Sequence, residues 1–129
     1  MQAIEIGAQR EEVVRVDGNN AISFLGLEAA RVLSTPHMIG YMERTSRNLV
    51  FPMLEAGFDT VGTLVNIAHI GAAPMGSDVT FQAAIESVDN RRVNFRVAAF
   101  HANGKIGEGT HQRFIINVAR FAEKLKSKT

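Results

Sequence analysis

The sequence predicts an α+β fold in which one long central helix is wrapped by an antiparallel β-sheet. Three observations carry the prediction. A stretch of helical period runs from Ser34 to Gly57, the period changes to two over the long segments that follow, and those segments are joined by short turns. An amphipathic helix and a one-sided sheet each need cover for their apolar face, and here each supplies it to the other.

The helix opens at Ser34-Thr35-Pro36, where Thr35 reads as the cap and Pro36 as a first-turn residue that loses no hydrogen bond. Ile39, Met42, Leu49, Val50 and Met53 recur at helical spacing and predict a core-facing stripe. Pro52 bends the last turn and Ala56-Gly57 supplies a left-handed stop. Before the helix, Glu12 to Val16 reads as an edge strand, because its valines are flanked by charge, and Asp17-Gly18-Asn19-Asn20 closes it. Residues 21–33 read equally as a short helix or as an irregular lid, with Gly26 against one continuous element.

After the helix, strict alternation puts Val61, Thr63, Val65, Ile67 and His69 on one face of a strand, and Gly62, Leu64, Asn66 and Ala68 on the other. A turn over 71–76 follows. Three more strands read as Asp78 to Val88, Arg92 to His101 and Lys105 to Val118, joined by turns at Asp89-Asn90 and Ala102-Asn103-Gly104. Gly107 and Gly109 allow the last strand to curve or to approach a neighbour closely. Arg120 to Lys126 forms a final helical turn.

Length and composition narrow the function. The 129 residues predict one domain spanning 1–129. A net charge of +1, with only a short basic end at K-L-K-S-K-T, gives no footprint for nucleic acid or an anionic membrane. Absence of cysteine removes disulfides, thiolate metal sites and a Cys nucleophile together. No apolar run approaches a membrane span, and M-Q-A-I-E-I lacks the layout of a signal peptide, so a cytoplasmic location is expected.

One residue breaks the helical pattern. Glu43 follows Ile39 by four positions and sits beside Met42, so the helical period carries a carboxylate to the edge or interior of the apolar stripe. An acid there must be satisfied or must have a task.

Four stretches, S-T-P-x-M-I-x-x-M-E, T-V-G-T-x-V-N-I-x-H-x-x-A-x-P-x-G, V-D-N-R-R-V-N-F-R-V-A-A and I-G-E-G-T-H-Q-R, together resemble the fluoroacetyl-CoA thioesterase family of hot-dog fold proteins. The resemblance runs from about Val14 to Phe121, in order and with compatible spacing. It implies a hot-dog fold, a homodimer with its sites at the subunit interface, and pairing of dimers into a tetramer as an open question. It also implies Thr35, Glu43 and His69 as catalytic residues, with Gly62 and Arg113 at the oxyanion and substrate positions. Taken singly, Thr35 is also a plain helix cap, His69 a structural histidine and Gly62 a bulge residue. Arg113 is also a surface residue or an ion-pair partner for Glu43 or Glu108.

Thioester hydrolysis needs a nucleophile or base, a proton donor for the departing thiol, and donors aimed at the developing oxyanion. On this assignment Glu43 attacks the thioester carbonyl or activates water, His69 moves protons, Thr35 orients Glu43 or substrate, and the Gly62 N–H stabilises the oxyanion. No metal or other cofactor is expected, coenzyme A entering as part of the acyl-CoA substrate. The D-N-R-R turn at 89–92 and Lys105 offer charge for its phosphates. The family's lid aromatics have no counterpart between Gly26 and Leu33, with Phe24 further upstream, a departure that bears on fluoroacetyl-CoA discrimination and leaves acyl thioesterase chemistry in place; a small or short-chain acyl group is expected, and whether it is fluoroacetyl stays open. Two other classes remain: an acyl-CoA hydratase or dehydratase on the same fold, and a non-catalytic acyl-CoA-binding module.

Overall fold

The computed structural model describes residues 3–102 and 104–128; Asn103 of the predicted last turn falls outside them. The elements run β1 (Gln9–Arg15), α1 (Thr35–Val50), β2 (Phe58–His69), β3 (Asp78–Asp89), β4 (Arg92–His101), β5 (Gly104–Asn117) and α2 (Val118–Lys126). All five strands join one antiparallel sheet in the order β1-β3-β4-β5-β2, and α1 lies across one face of it.

The local reasons follow the sequence closely, with two corrections at the helix ends. Ser34, not Thr35, caps α1: its side chain accepts from the His37 N–H at 3.1 Å while its own backbone stays extended. Thr35 is thereby the first helical residue, and its hydroxyl is spared from capping. The regular helix ends at Val50 and tightens into a 3-10 turn over Phe51–Met53, because Pro52 has no N–H to continue the ladder. Gly57 then turns the chain at φ +89°, a conformation that costs a side chain little only when there is none. Residues 21–33 form no continuous element: a 3-10 turn at Glu28–Ala30 is flanked by single bridges, Ala21 to Leu33 and Val32 to Pro74.

The core lies between α1 and the sheet. Met38, Met42, Leu49 and Val50 from the helix meet Val79, Phe81, Ala83 and Ile85 of β3 and Val93, Phe95, Val97 and Ala99 of β4. These strand residues alternate strictly, as expected for a sheet buried on one face. Met38 takes the core position that the predicted stripe gave to Ile39, which is only half-buried. Gly107 on β5 lets the helix sit this close, since a Cβ there would lie 2.6 Å from Met38 Sδ.

The two sheet edges differ in character. β1 carries Arg10, Glu11, Glu12 and Arg15, and such charge discourages pairing with another chain. β2, the other edge, presents Leu64 and Val65, each 45% exposed. Among the described residues, no helix is long and apolar enough to cross a membrane.

Candidate active site

Two rows of side chains face each other along the seam between α1 and β2. On the helix, Thr35, Ile39 and Glu43 are spaced by four and share a face. On the strand the facing row is Gly62, Val65, Ile67 and His69, and this row is not the one that simple alternation predicts. Gly62 pairs with Arg113 whereas Leu64 pairs with Gln112, so Thr63 is an extra residue in the ladder. That bulge flips the side-chain phase. Gly62 stands opposite buried Arg113 on the helix side, and beyond the bulge Val65, Ile67 and His69 stand opposite His111, Gly109 and Gly107 on the same side. Without the extra residue, Gly62 and His69 would lie on opposite faces of the sheet.

At one end of the seam, Thr35 Oγ1 lies 2.7 Å from His69 Nδ1. His69 Nε2 is buried and has no hydrogen-bond partner among the described residues. If the hydroxyl donates to Nδ1, the proton of the neutral ring sits on Nε2, aimed away from the helix as a free donor; if it accepts, Nε2 is a free acceptor. Both residues line an open pocket of about 410 Å³ whose other walls include Ile22, Phe24 and Leu33. Phe24, 81% exposed, thus brings an aromatic ring to the rim beside His69 from upstream of the 3-10 turn.

At the other end, Glu43 Oε2 lies 3.7 Å from Arg113 Nη1, with the Glu43 side chain 39% exposed. Glu43 therefore sits at the margin of the apolar stripe, not inside it. Gly62 gives its carboxylate room, because a Cβ on that residue would lie 2.8 Å from Oε2. Arg113 is itself fixed: Nε donates to Thr60 Oγ1 at 2.7 Å and Nη2 to the Thr60 carbonyl at 2.9 Å. The carboxylate that Arg113 faces is Glu43, while Glu108 pairs with Lys105 at 2.7 Å.

His111 was not singled out from sequence, yet it is fully buried in this cluster. Its Nδ1 lies 2.8 Å from the Leu64 carbonyl and its Nε2 lies 3.2 Å from Arg113 Nη1. A carbonyl only accepts and a guanidinium only donates, so the ring is neutral, with its proton on Nδ1. Burial pushes the His111 pKa below the ordinary histidine value. The Leu64 contact opposes that shift, Arg113 adds to it, and Glu43 opposes it. Burial also lowers the Arg113 pKa, against the pull of Glu43 and Asp59, although a guanidinium remains charged throughout. A signal for His111 existed in the sequence: His111, Arg113 and Ile115 alternate toward the helix on β5.

Of the expected residues, the structure joins Thr35 to His69 and gathers Glu43, Gly62 and Arg113 two helical turns away, about 12 Å along the axis. No hydrogen bond among the described residues links the two groups; half-buried Ile39 and Ile67 and exposed Val65 lie between them. The seam therefore has polar ends and an apolar middle. Among the described residues no group of three or more His, Asp or Glu side chains could hold a metal ion.

A long helix wrapped by this sheet, with such a seam along it, defines a hot-dog thioesterase. The sequence profile of the fluoroacetyl-CoA-specific thioesterases matches residues 16–119. A fluoroacetyl-CoA thioesterase of Streptantibioticus cattleyicolor is 37% identical over 102 residues, which cover 79% of this chain and 73% of that protein. A solved structure of the fluoroacetyl-CoA thioesterase FlK superposes with a TM-score of 0.88 at 31% identity, over 98% of each chain. A mutant of FlK in complex with fluoroacetate and CoA gives 0.83 at 31% identity, over 92% of this chain and 99% of that one. The chain belongs to the fluoroacetyl-CoA-specific thioesterase family, and it is a thioester hydrolase.

Proposed function

We propose that the protein hydrolyses a small or short-chain acyl-CoA thioester at the α1–β2 seam, with Thr35, Glu43 and His69 as its catalytic residues. The observation that carries this reading is the Thr35–His69 contact, which holds an imidazole with one buried nitrogen unpartnered, beside an open pocket that both residues line. Glu43 serves as nucleophile or as the base for water. Arg113 Nη1, 3.7 Å from Oε2, directs that carboxylate. Within one chain His69 stands about 12 Å along the helix from Glu43, so in this reading the homodimer brings the two ends of the seam to one carbonyl, where His69 Nε2 polarises the oxygen or protonates the departing thiolate and the Gly62 N–H meets the oxyanion. Coenzyme A in complex with a relative supports the choice of thioester.

The reading includes one domain spanning 1–129, working in the cytoplasm as a homodimer. The apolar, exposed β2 edge that carries half of the seam supports a subunit contact there. Phe24 at the rim of the Thr35–His69 pocket stands where an aromatic would bear on acyl-group choice.

The reaction class is tested by incubating the protein with acetyl-, fluoroacetyl-, propionyl-, butyryl- and crotonyl-CoA. Steady release of free thiol is expected. Loss of enoyl absorbance from crotonyl-CoA without thiol release, or saturable binding with no turnover of any substrate, would overturn the reading.

A further inference from the structure

Thr60, Arg113 and His111 form a buried polar chain behind Glu43, and the imidazole at its end takes no part in the chemistry described above. The Arg113 guanidinium has five N–H groups. Its Nε–H goes to Thr60 Oγ1 at 2.7 Å and one Nη2–H to the Thr60 carbonyl at 2.9 Å. One Nη1–H goes to His111 Nε2 at 3.2 Å, and the same Nη1 lies 3.7 Å from Glu43 Oε2. The imidazole is held in turn. Its Nδ1–H donates to the Leu64 carbonyl at 2.8 Å, and the ring stacks on Phe95 with centroids 6.0 Å apart. Enclosing a polar ring gains little over an apolar residue of the same shape, which makes no hydrogen-bonding demand, so stability alone gives no account of a histidine at this place.

We infer that His111 is a positioning residue for the thioesterase reaction, and that it acts through Arg113 by fixing the direction in which Nη1 faces Glu43. The two bonds to Thr60 lie along one edge of the planar guanidinium and leave it free to tilt about that edge. The third bond is at the opposite corner, on the nitrogen that faces the carboxylate, and it removes the tilt. His111 makes this bond only as an acceptor at Nε2, a role that the Leu64 carbonyl secures by claiming the proton on Nδ1. The imidazole touches no reacting atom. Its effect is to narrow the positions open to the Glu43 carboxylate, and a reacting group held in one place is worth far more in rate than one that wanders. The inference rests on the reading of Glu43 as the group that does the chemistry, and its test separates the two.

The test uses two variants that divide the roles of the ring nitrogens. Asn carries its amide nitrogen at the place of Nδ1, so H111N keeps the donor to Leu64 and leaves Arg113 without an acceptor. Gln carries its amide oxygen to the place of Nε2, so H111Q keeps the acceptor for Arg113 and gives up the donor to Leu64. Each variant loses one buried hydrogen bond, and Tm should fall by a similar amount in both. Thiol release from an accepted acyl-CoA should instead separate them: kcat falls about tenfold or more in H111N, the scale of a hydrogen bond to a charged group, with KM unchanged, and returns most of the way in H111Q. In an R113K background, which lacks the fork that Nε2 holds, H111N should cause no further loss. The inference is overturned if H111N turns over like the wild type, if H111N and H111Q lose rate equally, or if the H111N loss persists in full beside R113K. Undiminished turnover by E43Q would remove the Glu43 reading together with this inference, whereas a fall in E43Q beside wild-type turnover by H111N removes this inference alone.

Discussion

Thr35 Oγ1 and His69 Nδ1 meet at 2.7 Å where the first turn of α1 crosses the last residue of β2, and the contact exists because Ser34 takes over the capping of the helix. A threonine engaged with backbone N–H groups would have no comparable freedom to hold a ring. The hydroxyl therefore fixes the imidazole's position and the side on which its proton sits.

Thr35→Ala should lower kcat with little change in Tm, and Thr35→Ser should restore most of the loss. A hydrogen bond of about 1–1.5 kcal/mol corresponds to about fivefold to tenfold in rate. Steady-state kinetics on one acyl-CoA for the three proteins check this. Equal losses in both variants would mean that the methyl group, not the hydroxyl, matters.

Gly62 is expected to tolerate no side chain if catalysis is to survive. An added Cβ would sit 2.8 Å from Glu43 Oε2, at the movable end of a side chain, and 3.3 Å from Cε1 of buried His111, so the carboxylate must move while the ring gives by only a few tenths of an ångström. Displacement of a reacting group by about 1 Å costs on the order of 100-fold in rate. Gly62→Ala should show that loss in kcat with a Tm near wild type.

How much of this was legible in the sequence depends on the kind of signal. The order and type of elements were, because Met42, Leu49 and Val50 carry a helical period and the segments from 78 onward carry a strand period. The residues Thr35, Glu43, Gly62, His69 and Arg113 were named by their motifs. Their grouping was not, because a period of two cannot announce an inserted residue: the Thr63 bulge is set by how β2 pairs with β5. The cap was misplaced by one position because Ser34 and Thr35 are both good caps, and only the extended backbone of Ser34 separates them. His111 was passed over because its importance lies in burial against Arg113, a tertiary fact.

His111 makes a prediction about pH. Burial, the largest cause, lowers its folded-state pKa below the ordinary histidine value. Its contribution to stability is complete above the unfolded pKa. It is lost as pH falls through and below that value, because the unfolded chain takes up a proton that the folded ring refuses, and the loss ends once the lowered folded pKa has been passed. Thermal unfolding from pH 8 to 5 should show a decline that H111Q reduces. Equal pH dependence in both proteins would contradict a neutral, locked imidazole.

The central claim is that Glu43 performs the chemistry at the seam, and the most direct measurement is thiol release from an accepted acyl-CoA by wild type and E43Q under the same conditions. Glutamine keeps the shape of the side chain and removes its charge. The account predicts that kcat falls by about 100-fold or more, the scale of losing an acid–base or nucleophilic group, with substrate binding retained. Wild-type turnover by E43Q would contradict it.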